Sequence, residues 1–135
     1  GSALRHGELA IAPVEYAVKF RHDGRIQSTG QPWEGPYAPS IDQVIQHVGE
    51  GFGNACGAIL FSGMGNDGAI AAPRLAASGC PVWAQSADTC AVSSQPDSTR
   101  ETGWVSYSGS PEQLARQLVE RLRRELKAEV QKPGA

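Results

Sequence analysis

At 135 residues, 40% hydrophobic and 19% charged, the chain has the make-up of one ordinary globular domain spanning residues 1–135. A formal net charge of −2 excludes the basic footprint of a nucleic-acid binder, and no apolar run approaches the ~18 residues that membrane insertion requires. Cys56, Cys80 and Cys90 are odd in number and lack C-x-x-C spacing. No metal site is therefore expected, and a reduced, cytoplasmic setting with buried or idle thiols is the simplest reading.

Gly1-Ser2 has the look of a cloning scar, which leaves room for natural sequence upstream. Glu8 to Phe20, ELAIAPVEYAVKF, reads as two short strands interrupted by Pro13. In the second, Val14, Tyr16, Val18 and Phe20 alternate with Glu15, Ala17 and Lys19, the period of a half-exposed strand. Asp23-Gly24 supplies a hairpin turn and Arg25 to Ser28 the return strand. Thr29 to Pro39, rich in proline and glycine, is loop. Ser40 caps a helix, with Gln43 completing a capping box and Ile41, Val44, Ile45, Val48 and Phe52 making its apolar face. Gly53-Asn54 stops it.

Ala58 to Phe61 has no alternation, as expected of a strand covered on both faces. After the turn G-M-G-N-D-G a helix runs towards Ser78-Gly79, and Pro73 requires that it start late or bend. Pro81 to Gln85 and Trp104 to Tyr107 read as strands joined by a loop. Ser110-Pro111-Glu112-Gln113 opens the last helix, whose buried stripe is Leu114, Leu118, Leu122, Leu126 and Val130. Its basic residues Arg121, Arg123, Arg124 and Lys127 interleave with glutamates as a solvated face. Lys132-Pro133-Gly134 ends it, leaving residues 133–135 as a tail. The expected fold class is α/β: a doubly wound, mostly parallel sheet with flanking helices and an antiparallel hairpin on the N-terminal side, a shortened three-layer α/β/α arrangement.

The stretch Ala58 to Ile70, AILFSGMGNDGAI, matches the G-x-G-x-x-G pattern of a dinucleotide turn, with Asp88 placed where a ribose-binding acid would stand. Asp67 argues against that reading. Two unit charges about 5 Å apart at an effective dielectric near 20 repel by about 3 kcal/mol, and a diphosphate carries more than one. Two uses of Asp67 remain open. It can cap the following helix, or it can stand ionised at the C-terminal edge of the sheet and orient a catalytic histidine; the two are compatible.

Phe61 to Ala69 (FSGMGNDGA), followed by a helix and Ala84-Gln85, resembles the C-terminal catalytic domain of the chemotaxis protein-glutamate methylesterases, the CheB type. Glu8 to Pro13 and Pro39-Ser40-Ile41-Asp42 fit the same template in the same order, and the likeness runs from about Leu4 to Leu122. The resemblance implies a serine hydrolase that removes methyl groups from glutamyl esters on the cytoplasmic region of chemoreceptors, some members also deamidating glutamines. It implies Asp67 as the acid of the triad and Met64 as an oxyanion donor, with Gly63 and Gly65 beside it as the site wall. No metal or organic cofactor is implied. A receiver domain upstream is a candidate regulator of the parent protein.

In that family the serine elbow and the catalytic histidine precede the region matched here, so the chain is expected to be the later part of such a domain and inert alone. His6, His22 and His47 are expected at surface or incidental positions, and Ser62 as a packed or hydrogen-bonded strand-end serine. Pro36-Tyr37-Ala38 and Val92-Ser93-Ser94-Gln95-Pro96 depart from the family pattern, the second where a loop borders the cleft. Those departures leave open a non-catalytic signalling scaffold of the same fold. Trp33, Tyr37, Trp83 and Trp104 read as core or loop anchors, with a recognition surface as the alternative.

Overall fold

In the computed structural model, which describes residues 3–131, three short strands pair in parallel: β3 (Ala58–Leu60), β4 (Val82–Gln85) and β5 (Tyr107–Gly109), in that order. Leu60 pairs with Ala84 and Trp83 with Tyr107, so the strand ends lie level along one rim. The hairpin, β1 (Val18–Phe20) with β2 (Ile26–Ser28), forms a sheet of its own and does not border the parallel one. The helices are α1 (Ile41–Phe52), α2 (Ala71–Ala77), α3 (Ser94–Arg100) and α4 (Pro111–Gln131), with a short 3-10 turn at Ala87–Thr89. Gly1-Ser2, the side chain of Val130 and the tail from Lys132 lie outside the described residues.

Side-chain alternation sorts the parallel sheet into two faces. Leu60 and Val82 turn to α1 and α2, where they pack with Ile45, Ala72 and Leu75. Ile59 and Trp83 turn the other way and share a groove with Leu118 and Leu122 of α4. The arrangement is three-layered. A second, smaller core of Ala17, Val18 and Trp33 joins the hairpin to α1, fastened by the Trp33 indole N–H donating to the Pro13 carbonyl at 2.7 Å.

Local signals hold well at the helix starts. The Ser110 hydroxyl accepts from Gln113 N–H at 3.2 Å and Gln113 Oε1 accepts from Ser110 N–H at 2.9 Å, a complete capping box. Ser40 caps α1 through Gln43 N–H, but the Gln43 side chain turns away, its Oε1 accepting from Glu34 N–H, so only half of that box forms. The awkward Pro73 is resolved by a late start. With α2 beginning at Ala71, Pro73 stands in the first turn, where a missing N–H costs no intrahelical bond.

Four expectations are corrected. Glu8 to Tyr16 is not strand; Leu9 (91% exposed) and Ile11 find nothing to cover them, and without a partner an alternating pattern cannot pair. The third parallel strand begins at Tyr107 and not at Trp104. The expected loop between β4 and β5 carries α3, held by Ser93 Oγ donating to Asp97 Oδ2 and by the Asp97–Arg100 ion pair one turn apart. Arg100 also donates to the Gln85 carbonyl at 2.7 Å, which ties α3 to the end of β4. Finally, among the described residues of the α4 stripe only Leu114 is buried, at a gain of about 2 kcal/mol. Leu118, Leu122 and Leu126 grow steadily more exposed, because a helix of 21 residues is about 31 Å long and a four-residue strand only about 13 Å.

Candidate functional site

The segment Phe61 to Ile70 leaves β3 at the C-terminal rim of the parallel sheet, where α/β proteins assemble their sites. Three anchors fix it. The buried Gln85 side chain accepts from Ser62 N–H at 2.8 Å and donates to the Thr89 carbonyl at 2.9 Å. Ser62 Oγ donates to the Val92 carbonyl at 3.1 Å and accepts from Val92 N–H, so Ser62 is the hydrogen-bonded strand-end serine expected of it. The start of α3 then closes on the turn: Gly63 N–H donates to Val92 O, Gln95 N–H to Gly63 O, and Gly65 N–H to Ser94 Oγ. Met64 projects from this frame, 78% exposed, and among the described residues no group accepts from its N–H. A Cβ at Gly65 would lie 2.6 Å from the Tyr37 hydroxyl, so Tyr37 stands directly over the turn.

Asp67 is buried, at 4% exposure, and both carboxylate oxygens are held by backbone. Oδ2 accepts from Ile41 N–H at 2.6 Å and Oδ1 from Asp42 N–H at 2.9 Å. These are free donors of the first turn of α1, a helix 25 to 26 residues earlier in the chain. The charge rests against the positive end of the α1 dipole, not that of the helix it precedes. Of the two uses left open for Asp67, capping of the following helix is therefore not the one the structure displays. The mouth of α2 is occupied by Asp42, whose Oδ1 accepts from Ile70 N–H at 3.1 Å and Ala71 N–H at 2.8 Å. A pyrophosphate would need those same α2 donors. They are taken, and Asp88, on the exposed 3-10 turn, lends the dinucleotide reading no support.

Gly68 follows with φ +104°, a conformation L side chains avoid, and a Cβ there would come within 3.0 Å of Leu60 Cδ1 and 3.2 Å of Ile41 Cγ2. This closeness seats the Asp67 backbone against α1.

The histidines do not approach this rim by hydrogen bond. His6 and His22 are exposed, as expected. His47 is buried instead; its Nδ1–H donates to the Val18 carbonyl at 2.7 Å and pins α1 to the hairpin. Among the described residues no group of three or more His, Cys, Asp or Glu side chains could hold a metal ion, and no helix is long and apolar enough to cross a membrane. Trp33 and Trp83 are core, while Trp104 is half exposed.

The family model for CheB methylesterase matches residues 1–118. The chain belongs to the CheB methylesterase family. A protein-glutamate methylesterase/protein-glutamine glutaminase 2 of Burkholderia lata is 33% identical over 127 residues, covering 94% of this chain and 38% of the relative's length. One from Treponema pallidum is 33% identical over 119 residues, covering 85% and 29%. The chain therefore spans about a third of the length of the curated relatives it matches. The crystal structure of the Thermotoga maritima CheB methylesterase catalytic domain superposes with a TM-score of 0.69 at 23% identity, over 82% of this chain and 59% of that one. The α/β sheet with flanking helices and separate hairpin is the CheB catalytic-domain fold.

Within this CheB fold, sequence reasoning placed Asp67, Met64, Gly63 and Gly65 on one turn, and they share one rim. It missed Asp42. The only signal was Pro39-Ser40-Ile41-Asp42 as a helix start, and nothing in that string says which distant amides its carboxylate meets.

Proposed function

We propose that this chain is part of a protein-glutamate methylesterase that hydrolyses glutamyl methyl esters on the cytoplasmic region of chemoreceptors. In this reading a serine and a histidine, supplied by sequence outside the 135 residues, complete the site at the rim formed by Gly63, Met64, Gly65 and Asp67. The serine oxygen attacks the ester carbonyl as the histidine takes its proton. The histidine returns that proton to the departing methoxide, so methanol leaves and an acyl-enzyme remains, which water then hydrolyses. Asp67 orients the histidine and stabilises its charged form, and the Met64 N–H faces the tetrahedral oxyanion. The protein works in the cytoplasm, an upstream receiver domain regulates it, and the chemistry requires no cofactor.

The observation that carries this reading is the Asp67 carboxylate, fixed in direction by two backbone donors at the sheet rim. Each carboxylate oxygen has a second acceptor site, so two bonds to α1 leave capacity for an imidazole N–H. The test is methanol release from methylated receptor by the intact protein. Asp67→Asn should lower kcat by about 10⁴-fold, the scale of a lost tautomer-setting acid. The 135-residue chain alone should release none. An intact protein that turns over receptor equally well as Asp67→Ala sinks the assignment.

A second reading, a non-catalytic scaffold, draws on α3. The Gly63 and Gly65 amides are already spent on Val92 and Ser94, in the segment that departs from the family pattern. That reading predicts receptor binding by the intact protein without methanol.

A further inference from the structure

We propose that Asp42 is the positioning residue for Asp67, in that its side chain anchors the far end of the turn whose near end carries the Asp67 carboxylate. The inference rests on the hydrolase reading above for its catalytic consequence, and on geometry alone for its structural one.

Two helices and two carboxylates are cross-coupled. Asp67, just ahead of α2, caps α1 through the amides of residues 41 and 42. Asp42, in the first turn of α1, caps α2 through the amides of residues 70 and 71. Ile70 has no side-chain capping bond of its own to offer, so Asp42 provides one from another element. Asp42 is thus donor to Asp67 with its backbone and acceptor from the same turn with its side chain. The turn from Asp67 to Ala71 is clamped to α1 at both ends. Between the clamps, Gly68 touches Leu60 and Ile41 without room for a methyl group. Removing the Asp42 carboxylate releases one clamp. The two α1 amides still face Asp67, but the backbone that aims the carboxylate at them loses its restraint, so those two bonds open more often.

The effect expected on catalysis is one of geometry, since a displacement of about 1 Å at an orienting group lowers a rate by about 100-fold. Asp42→Asn is the conservative control, because its amide oxygen can still accept from both residue 70 and residue 71. Ser40→Ala is the stability control. It removes the ordinary cap of α1, the bond from Gln43 N–H, and touches neither carboxylate.

The experiment uses the intact protein and two readouts, steady-state methanol release and residue-resolved amide exchange. Asp42→Ala should lower kcat by about 100-fold with KM unchanged and speed exchange of the amides at 41 and 42. Asp42→Asn should restore both, and Ser40→Ala should lower the Tm while leaving kcat intact. The proposal is overturned if Asp42→Asn is as impaired as Asp42→Ala, if kcat tracks Tm across all three variants, or if exchange at 41 and 42 is unmoved in Asp42→Ala. Should the unmodified protein release no methanol, the hydrolase reading falls by itself. Exchange at 41 and 42 then decides the positioning role alone, faster exchange in Asp42→Ala upholding it and unchanged exchange ending it.

Discussion

Replacing Asp67 by alanine tests how much of the fold's stability passes through one side chain. The carboxylate is 4% exposed and accepts from two backbone amides, at 2.6 and 2.9 Å. A hydrogen bond to a charged group contributes about 1.5–3 kcal/mol net. Taking the lower figure for each, because water can reach part of a helix end, the loss is about 3 kcal/mol. With an unfolding entropy of about 2.1 cal/mol/K per residue, a chain of this length should melt about 10 °C lower. In urea, a slope of about 2 kcal/mol/M turns the same loss into a midpoint about 1.5 M lower. Trp33 and Trp83 are buried and report the transition by fluorescence. Asp67→Asn, which keeps one acceptor oxygen, should fall between. A loss under about 0.5 kcal/mol for Asp67→Ala, the scale of a neutral surface change, would refute the reasoning, since the two α1 amides would then be shown to need no partner.

Gly51→Ala should cost about 3 kcal/mol in the same urea titration, because the new Cβ would stand 2.3 Å from the Phe20 carbonyl oxygen, a backbone atom that cannot swing aside; a near-neutral result would mean that α1 and the hairpin slide freely. The Cys56 thiol is pushed up to about 11 by burial and then by the neighbouring Cys80 thiol. Its alkylation by iodoacetamide should therefore rise towards pH 11 in the folded chain and near its ordinary value of 9.0 in urea. Because the folded value lies above the unfolded one, the stability it contributes is full below pH 9 and lost as pH climbs from about 9 to about 11; identical folded and unfolded profiles would contradict this. The uncovered leucines of α4 should make the 135-residue chain self-associate in a light-scattering concentration series, and Leu118→Lys with Leu122→Lys should return it to monomer; a parent chain that is monomeric throughout would show the stripe to be harmless.

Much of the fold was legible from local chemistry. The caps at Ser40 and Ser110, the stop at Gly53, the late start imposed by Pro73 and the parallel strands flanking the G-M-G-N-D-G turn are all set by neighbours within a few residues. Two of the misreadings share a cause. Glu8 to Tyr16 and the far end of the α4 stripe carry strong periodic patterns, yet periodicity reports which side of an element wants cover and not whether cover is present. α3 was hidden for the opposite reason: its polar sequence has no apolar stripe, and it is held by Arg100 reaching across to the end of β4.

By itself the sequence determined the family, the turn that carries Asp67, Met64, Gly63 and Gly65, and the charge that makes this turn a poor host for phosphate. Only the tertiary structure decided which helix each carboxylate serves. A side chain's nearest neighbours along the chain are written in the sequence, but the amides that hold Asp67 come from 25 and 26 residues away. Hydrogen bonds act over about 3 Å of space, and nothing short of packing α1 against α2 brings those atoms into range.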